Sequence, residues 1–170
     1  MRKIAARLCA LFYTLYSRGR VRGSSYILRK PSTLRIGSGN HVSIGRNVMI
    51  DKDARIFAVG GNISIGDDTF IGKNVTLIAF ADMAIGARTL LGQNCSVHTE
   101  NHGPAGDRHA FVARPITIGD DVWLGAGVVV TSGRSVGDAV TVGANSVVTR
   151  DLDSDATYAG VPAKRISESR

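Results

Sequence analysis

The chain has 170 residues, 44% of them hydrophobic and 21% charged, with a formal net charge of +7. That length suits one domain with a real core, and the composition is that of an ordinary soluble globular protein, which excludes a disordered or collagen-like chain. The positive charge serves solubility or points to an anionic ligand or surface, and only two cysteines, Cys9 and Cys95, exclude a disulfide framework and make a reducing, cytoplasmic setting the default.

The first 35 residues form a basic segment. Ile4, Leu8, Leu11, Phe12, Leu15 and Tyr16 fall at helical spacing, flanked or interrupted by Arg2, Lys3, Arg7, Arg18, Arg20 and Arg22. The apolar stretch is too short to span a bilayer, and no small-residue cleavage site follows it. The spacing predicts a short helix. Without a tryptophan anchor it reads first as a helix packed on its own protein or a neighbouring subunit. The alternative is peripheral contact with an anionic membrane.

From residue 36 the pattern changes. Glycine is abundant, 20 residues against 4 prolines, and aliphatic-Gly pairs punctuate the chain, from Ile36-Gly37 to Val142-Gly143. Stepping six residues at a time gives ladders: Ile44, Ile50, Ile56; Ile65, Ile71, Leu77; Ile85, Leu91, Val97; and an unbroken run Ile118, Leu124, Val130, Val136, Val142, Val148. Two residues before most of these stands a second apolar or small residue, such as Val42, Ile63, Cys95 or Val122. Residues two apart on a strand share a face, so each hexad reads as a short strand with two inward side chains, closed by a turn. The glycine is expected to relieve the backbone at that turn. Arg134 alone puts a charge at such a position, and is expected at a frayed corner or snorkelling outward.

Three hexads make a coil of 18 residues, and stacked coils make a prism with three flat faces. The ladders yield five such triplets. Extra chain always follows the third member, so one edge of the prism takes every insertion, the longest at about residues 98–117. The organisation is an N-terminal segment at 1–35, a β-helix at 36–150 with a protruding loop at 98–117, and a tail at 151–170. Long loops on a rigid scaffold are where function concentrates.

Of the four histidines His41, His98, His102 and His109, three lie in or beside that loop. Imidazole is the usual base near neutral pH, and His102, five residues after the inward Val97, is the candidate base. His98 and His109 are expected to hydrogen-bond within the loop. Ala126 and Ala144 are one coil apart, so two small residues stack on one edge and leave a groove for a slender ligand. Cys95 is inward, so neither cysteine is placed as a nucleophile.

The six-residue repeat, the run PITIGDDVWLGAGVVV at 115–130 and the segment GVPAK at 160–164 together resemble the hexapeptide-repeat acyltransferase family. The resemblance is to its maltose and galactoside O-acetyltransferase and surface-polysaccharide acetyltransferase branch, and it covers about residues 36–166. It implies an all-β fold, a left-handed parallel β-helix of about five coils, the hand being a family property and not a consequence of the residues. It also implies an acetyl-CoA-dependent O-acetyltransferase with His102 at the catalytic offset. Trp123, Ala126 and Ala144 would line the cofactor groove, and Arg150 and Lys164, beside that edge, would face the phosphates. The resemblance further implies a homotrimer in which a neighbour completes each groove. The basic N-terminus resembles small acetyltransferases of surface polysaccharide synthesis, giving a sugar in a cell-surface glycan as acceptor, at the cytoplasmic side of the membrane. No nucleic acid is expected.

The alternatives are an amino-sugar N-acetyltransferase, a non-catalytic β-helix scaffold, and a zinc enzyme like the gamma-class carbonic anhydrases. The last family takes one histidine from an earlier coil, whereas three crowd one loop here, so no metal is expected. Ser132 stands where the family has proline, which predicts a looser corner.

Overall fold

The computed structural model describes residues 20–23, 26–29, 32–103, 107 and 109–168. The expected N-terminal helix lies outside the described residues. Within them there are strands and turns only. No helix of the described residues is long and apolar enough to cross a membrane.

The strands stack into three parallel sheets, the faces of the prism. The first face holds β1 (Val21–Arg22), β4 (Val42–Ile44), β7 (Ile63–Ile65), β10 (Met83–Ile85), β15 (Ile116–Ile118) and β18 (Ser135–Val136). The second holds β2 (Ile27–Leu28), β5 (Met49–Ile50), β8 (Phe70–Ile71), β11 (Leu90–Leu91), β16 (Trp123–Leu124) and β19 (Thr141–Val142). It continues into β21 (Ala156–Ala159) and the antiparallel β22 (Lys164–Glu168). The third holds β3 (Thr33–Ile36), β6 (Arg55–Ala58), β9 (Thr76–Ala79), β12 (Ser96–His98), β17 (Val129–Val130) and β20 (Val147–Val148).

The register is that of the ladders. Ile50 partners Ile71, Leu91 partners Ile71 and Leu124, and Val97 partners Leu77 and Val130. The ladder residues Ile50, Ile56, Ile71, Leu77, Leu91, Val97, Leu124 and Val130 are wholly buried, and the inward partners Val42, Val75 and Val128 close the core between them. The core is therefore a column of aliphatic side chains, stacked at about the 4.8 Å strand spacing.

The five expected triplets form the second to sixth coils. A further coil, made of β1, β2 and β3, precedes them inside the segment read as N-terminal. The tail also joins the stack: Leu152 bridges to Val136, and Tyr158 pairs with Val142.

The turns differ from expectation in one respect. The glycine after each aliphatic residue is not where the backbone turns left-handed. Positive φ falls two residues later, mostly on Asn or Asp: Asn47, Asp68, Asn74, Asn94, Asp121 and Asn145. Short polar side chains tolerate that region. The glycine is required by close stacking. A Cβ on Gly86 would sit 2.4 Å from the backbone of Gly119, and one on Gly92 2.7 Å from the Ala126 nitrogen.

Candidate functional site

The three edges of the prism are built differently, and the candidate residues sit on two of them. The first edge, between the first and second faces, is stapled by side chains. The N–H of Arg46 donates to Asp67, that of Ala87 to Asp120, that of Asp120 to Asp138 and that of Asp138 to the Ser154 hydroxyl. At four of these turns a side chain of the next coil thus caps a turn amide of the coil before it. Arg46 adds a fork onto Asp67, and Arg88 one onto Asp121. The Arg46 N–H, then its guanidinium, holds the Asp67 carboxyl below the usual range, and the Arg88 guanidinium does the same for Asp121.

The second edge, between the second and third faces, carries Ala126 and Ala144 directly above one another. Asn145 N–H donates to Ala126 O, and a Cβ on Gly125 would lie 2.7 Å from Ala144 N. The N–H groups of Ala126 and Ala144 themselves meet no acceptor among the described residues. Methyl side chains cannot cover them. The result is a shallow groove with two uncapped amide donors about one strand spacing apart. That is the complement of a slender chain with amide carbonyls, as a pantetheine arm has, so these residues fit the acetyl-CoA expectation.

The GVPAK segment closes the top of the same edge. Gly160 N–H donates to Ser146 Oγ, Val147 N–H to Gly160 O, and Ala163 N–H to Val147 O. Lys164 follows at the start of β22, exposed. Tyr158 locks the tail: its hydroxyl accepts from Asp153 N–H at 3.0 Å and donates to Asp153 O. Trp123 lies on the outer side of β16, 55% exposed, where the second face leads into this edge; it stands in register with the exposed Leu90.

The third edge, between the third and first faces, takes the insertions. The long loop is an antiparallel arm, β13 (Glu100–His102) paired with β14 (Phe111–Ala113). Thr99, fully buried, is its root. Its Oγ1 accepts from the N–H groups of Phe80 and Ala81, and its carbonyl accepts from Arg114 N–H and the Ser132 hydroxyl. Ser132, expected to loosen its corner in place of proline, instead ties it to the arm. Arg134, which holds an inward position in the repeat, is half-buried at this edge and paired with Asp151 at 3.6 Å.

His102 is exposed on the arm, opposite Phe111, with its N–H donating to Asn101 Oδ1. Phe111 packs edge-on against Phe80, the ring centroids 4.7 Å apart. His98 lies lower, on β12, between Ser96 and Glu100. Among the described residues no three His, Cys, Asp or Glu side chains converge as a metal site would need. The Cys95 thiol is buried, donates to Gly125 O, and is pushed up by burial.

Arg150 is not beside the alanine edge. It follows β20 and precedes Leu152, which bridges to the first face, so it stands on the third edge with the arm. The reason is the six-residue step: from Ala144 the chain crosses the whole third face before reaching Arg150. The candidates therefore divide into Trp123, Ala126, Ala144 and Lys164 around the second edge, and His102 and Arg150 at the third. A strand rising about 3.3 Å per residue puts those edges roughly 15–20 Å apart. Sequence reasoning missed Glu100, Phe80 and Phe111, although the alternation of polar residues at 96, 98, 100 and 102 was present to be read.

Comparison with known proteins agrees with the stacked-coil fold. Residues 115–150 match the model of the bacterial transferase hexapeptide, six repeats, and residues 62–79 the hexapeptide repeat of succinyl-transferase. The chain is 32% identical over 132 residues to the galactoside O-acetyltransferase of Escherichia coli, matching 74% of this chain and 63% of that protein, so it spans less than two thirds of that relative. It is 33% identical over 125 residues to the putative colanic acid biosynthesis acetyltransferase WcaF of Escherichia coli, covering 74% of this chain and 68% of that one. A maltose O-acetyltransferase from Clostridium difficile superposes with a TM-score of 0.62 at 28% identity, over 80% of this chain and 70% of that one. The repeat, the stacked coils and these relatives together show that the chain belongs to the hexapeptide-repeat acyltransferase family.

Proposed function

We propose that the chain is an O-acetyltransferase that moves the acetyl group of acetyl-CoA onto a sugar hydroxyl in cell-surface glycan synthesis. The observation that carries this reading is the pair of open amides at Ala126 and Ala144, in a groove that ends at Lys164. His102 takes the proton of the acceptor hydroxyl as that oxygen attacks the thioester carbonyl, and the thiolate leaves without an acyl-enzyme. The Ala126 N–H is the donor for the developing oxyanion, and such a donor is worth about 3 kcal/mol in catalysis. Lys164 and Arg150 hold the phosphates.

The separation of the two edges supports assembly. The alanine groove and Lys164 of one copy meet His102 and Arg150 only if a second copy brings its arm alongside. A homotrimer of about 54 kDa, from three 18.0 kDa chains, closes this arrangement with a site at each interface. The +7 charge suits work at the inner face of an anionic membrane, or on a lipid-diphosphate-linked sugar.

Thiol release from acetyl-CoA, measured across nucleotide sugars, lipid-linked sugars and simple glycosides, tests the reading. His102→Ala is expected to lower turnover at least about 100-fold while leaving acetyl-CoA affinity within about twofold. Near-native turnover in that variant, with loss in His98→Ala, would move the base. Transfer to amino sugars alone would replace O-acetylation by N-acetylation.

A further inference from the structure

Ser96, His98 and Glu100 alternate along β12 into β13. His98 Nε2 is 2.8 Å from Ser96 Oγ, and His98 Nδ1 is 3.2 Å from Glu100 Oε1. An ionised carboxylate only accepts, so Nδ1 carries the hydrogen toward Glu100. In the neutral ring Nε2 is then the acceptor, and it faces the Ser96 hydroxyl. Glu100 is largely covered: its Oε2 is buried and meets no donor among the described residues. Among the described residues the carboxylate therefore has one partner, His98, and fixes that ring's tautomer and orientation.

A hydroxyl within hydrogen-bond reach of an imidazole, itself oriented by a partly buried carboxylate, is the arrangement that activates a serine nucleophile. The surroundings suit an acyl group. Directly above Ser96 on the third face stands Val129 and then Val147, half-buried, and beside His98 stands Ile78. Among the described residues no metal-binding cluster includes the three, and the arm is held by Thr99 without them.

We propose that Ser96 is an acyl-accepting nucleophile, served by His98 and Glu100, that reacts with small activated acyl esters and thioesters. Ser96 Oγ bonds to the acyl carbonyl carbon as the carbon–oxygen or carbon–sulfur bond to the leaving group breaks. The hydroxyl proton passes to His98 Nε2 and from there to the departing anion. The product is O-acyl-Ser96. Glu100 is a positioning residue, acting through His98. The site does not need the alanine groove or a second copy, so it stands apart from the transfer reaction above.

The test uses the whole protein with p-nitrophenyl acetate, which needs no CoA-binding surface, and reads intact mass and the labelled peptide. One acetyl group on Ser96 is expected, with His102→Ala labelled at the same rate. His98→Asn is expected to slow Ser96 labelling at least about 100-fold, and Glu100→Gln about tenfold or more. Labelling confined to lysines or to the chain terminus, with Ser96 unmodified, would overturn the proposal. So would Ser96 labelling that is indifferent to His98→Asn in a variant with the wild-type melting temperature.

Discussion

The first and second edges of the prism are turns of the same repeat, yet one is closed and the other open. On the first, Asp67, Asp120, Asp138 and Ser154 reach back to cap the turn amides of the coil before, and Arg46 and Arg88 brace the carboxylates. On the second, Ala126 and Ala144 have amides that no side chain caps among the described residues. Backbone donors without partners are uncommon wherever water is excluded, and a protein that caps one edge has the means to cap the other. The difference teaches that the first edge holds coils together and the second is kept bare for a ligand.

The largest effect is expected where coils touch most closely. Gly86→Ala places a Cβ 2.4 Å from the Gly119 backbone, which cannot give way without unstacking a coil. A loss of about 3 kcal/mol or more in denaturant unfolding is expected. Gly143→Ala is the control: its nearest neighbour would be the Ala159 methyl at 3.1 Å, under the tail, and a change within about 1 kcal/mol is expected.

Filling the bare edge comes next. Ala144→Trp covers the open amides without entering the core, since Ala144 is exposed. Calorimetry is expected to show acetyl-CoA binding weakened at least about 100-fold, with the melting temperature nearly unchanged. If binding survives, the groove lies elsewhere.

Removing the flanking cations costs less. Lys164→Ala and Arg150→Ala are each expected to weaken acetyl-CoA binding about tenfold, more at low salt, and to leave a phosphate-free pantetheine ligand unaffected. Equal losses for both ligands would give these side chains another role.

The smallest effect belongs to the exposed braces. Asp67→Asn removes a carboxylate whose folded-state pKa is depressed. Its stabilisation is present above the unfolded carboxylate value, about 3.9, and is lost as pH falls through the lower folded one. Thermal melts are expected to separate wild type and variant by only a few degrees (about 3 °C or less) at pH 7, and to converge below about pH 4. A gap that persists in acid would mean the side chain acts by packing.

Much of this was readable beforehand, for physical reasons. A stacked core demands the same residue class every coil, so the ladders from Ile44 to Val148 exposed the prism, its faces and the edge that takes insertions. The first coil was hidden because Gly23, whose absent side chain faces Ile44, stands where later coils carry an aliphatic residue. The end was hidden because the return from Val142 to Tyr158 is shorter than a full coil. The alanine pair was legible from its spacing. The placement of Arg150 followed from the same six-residue step but was overlooked. The link from His98 to Glu100 depends on how β12 runs into the arm, which spacing alone does not specify.

The central claim is that one copy's alanine edge works with another copy's arm. Mixing His102→Ala, which keeps the edge, with Ala144→Trp, which keeps the arm, tests it when the two inactive chains are co-refolded in equal amounts. Random assembly into closed rings places an intact edge against an intact arm at about one site in four. Thiol release recovering to about a quarter of the wild-type rate is the result expected. Activity no greater than that of either variant alone, in verified mixed oligomers, would contradict a site shared between copies.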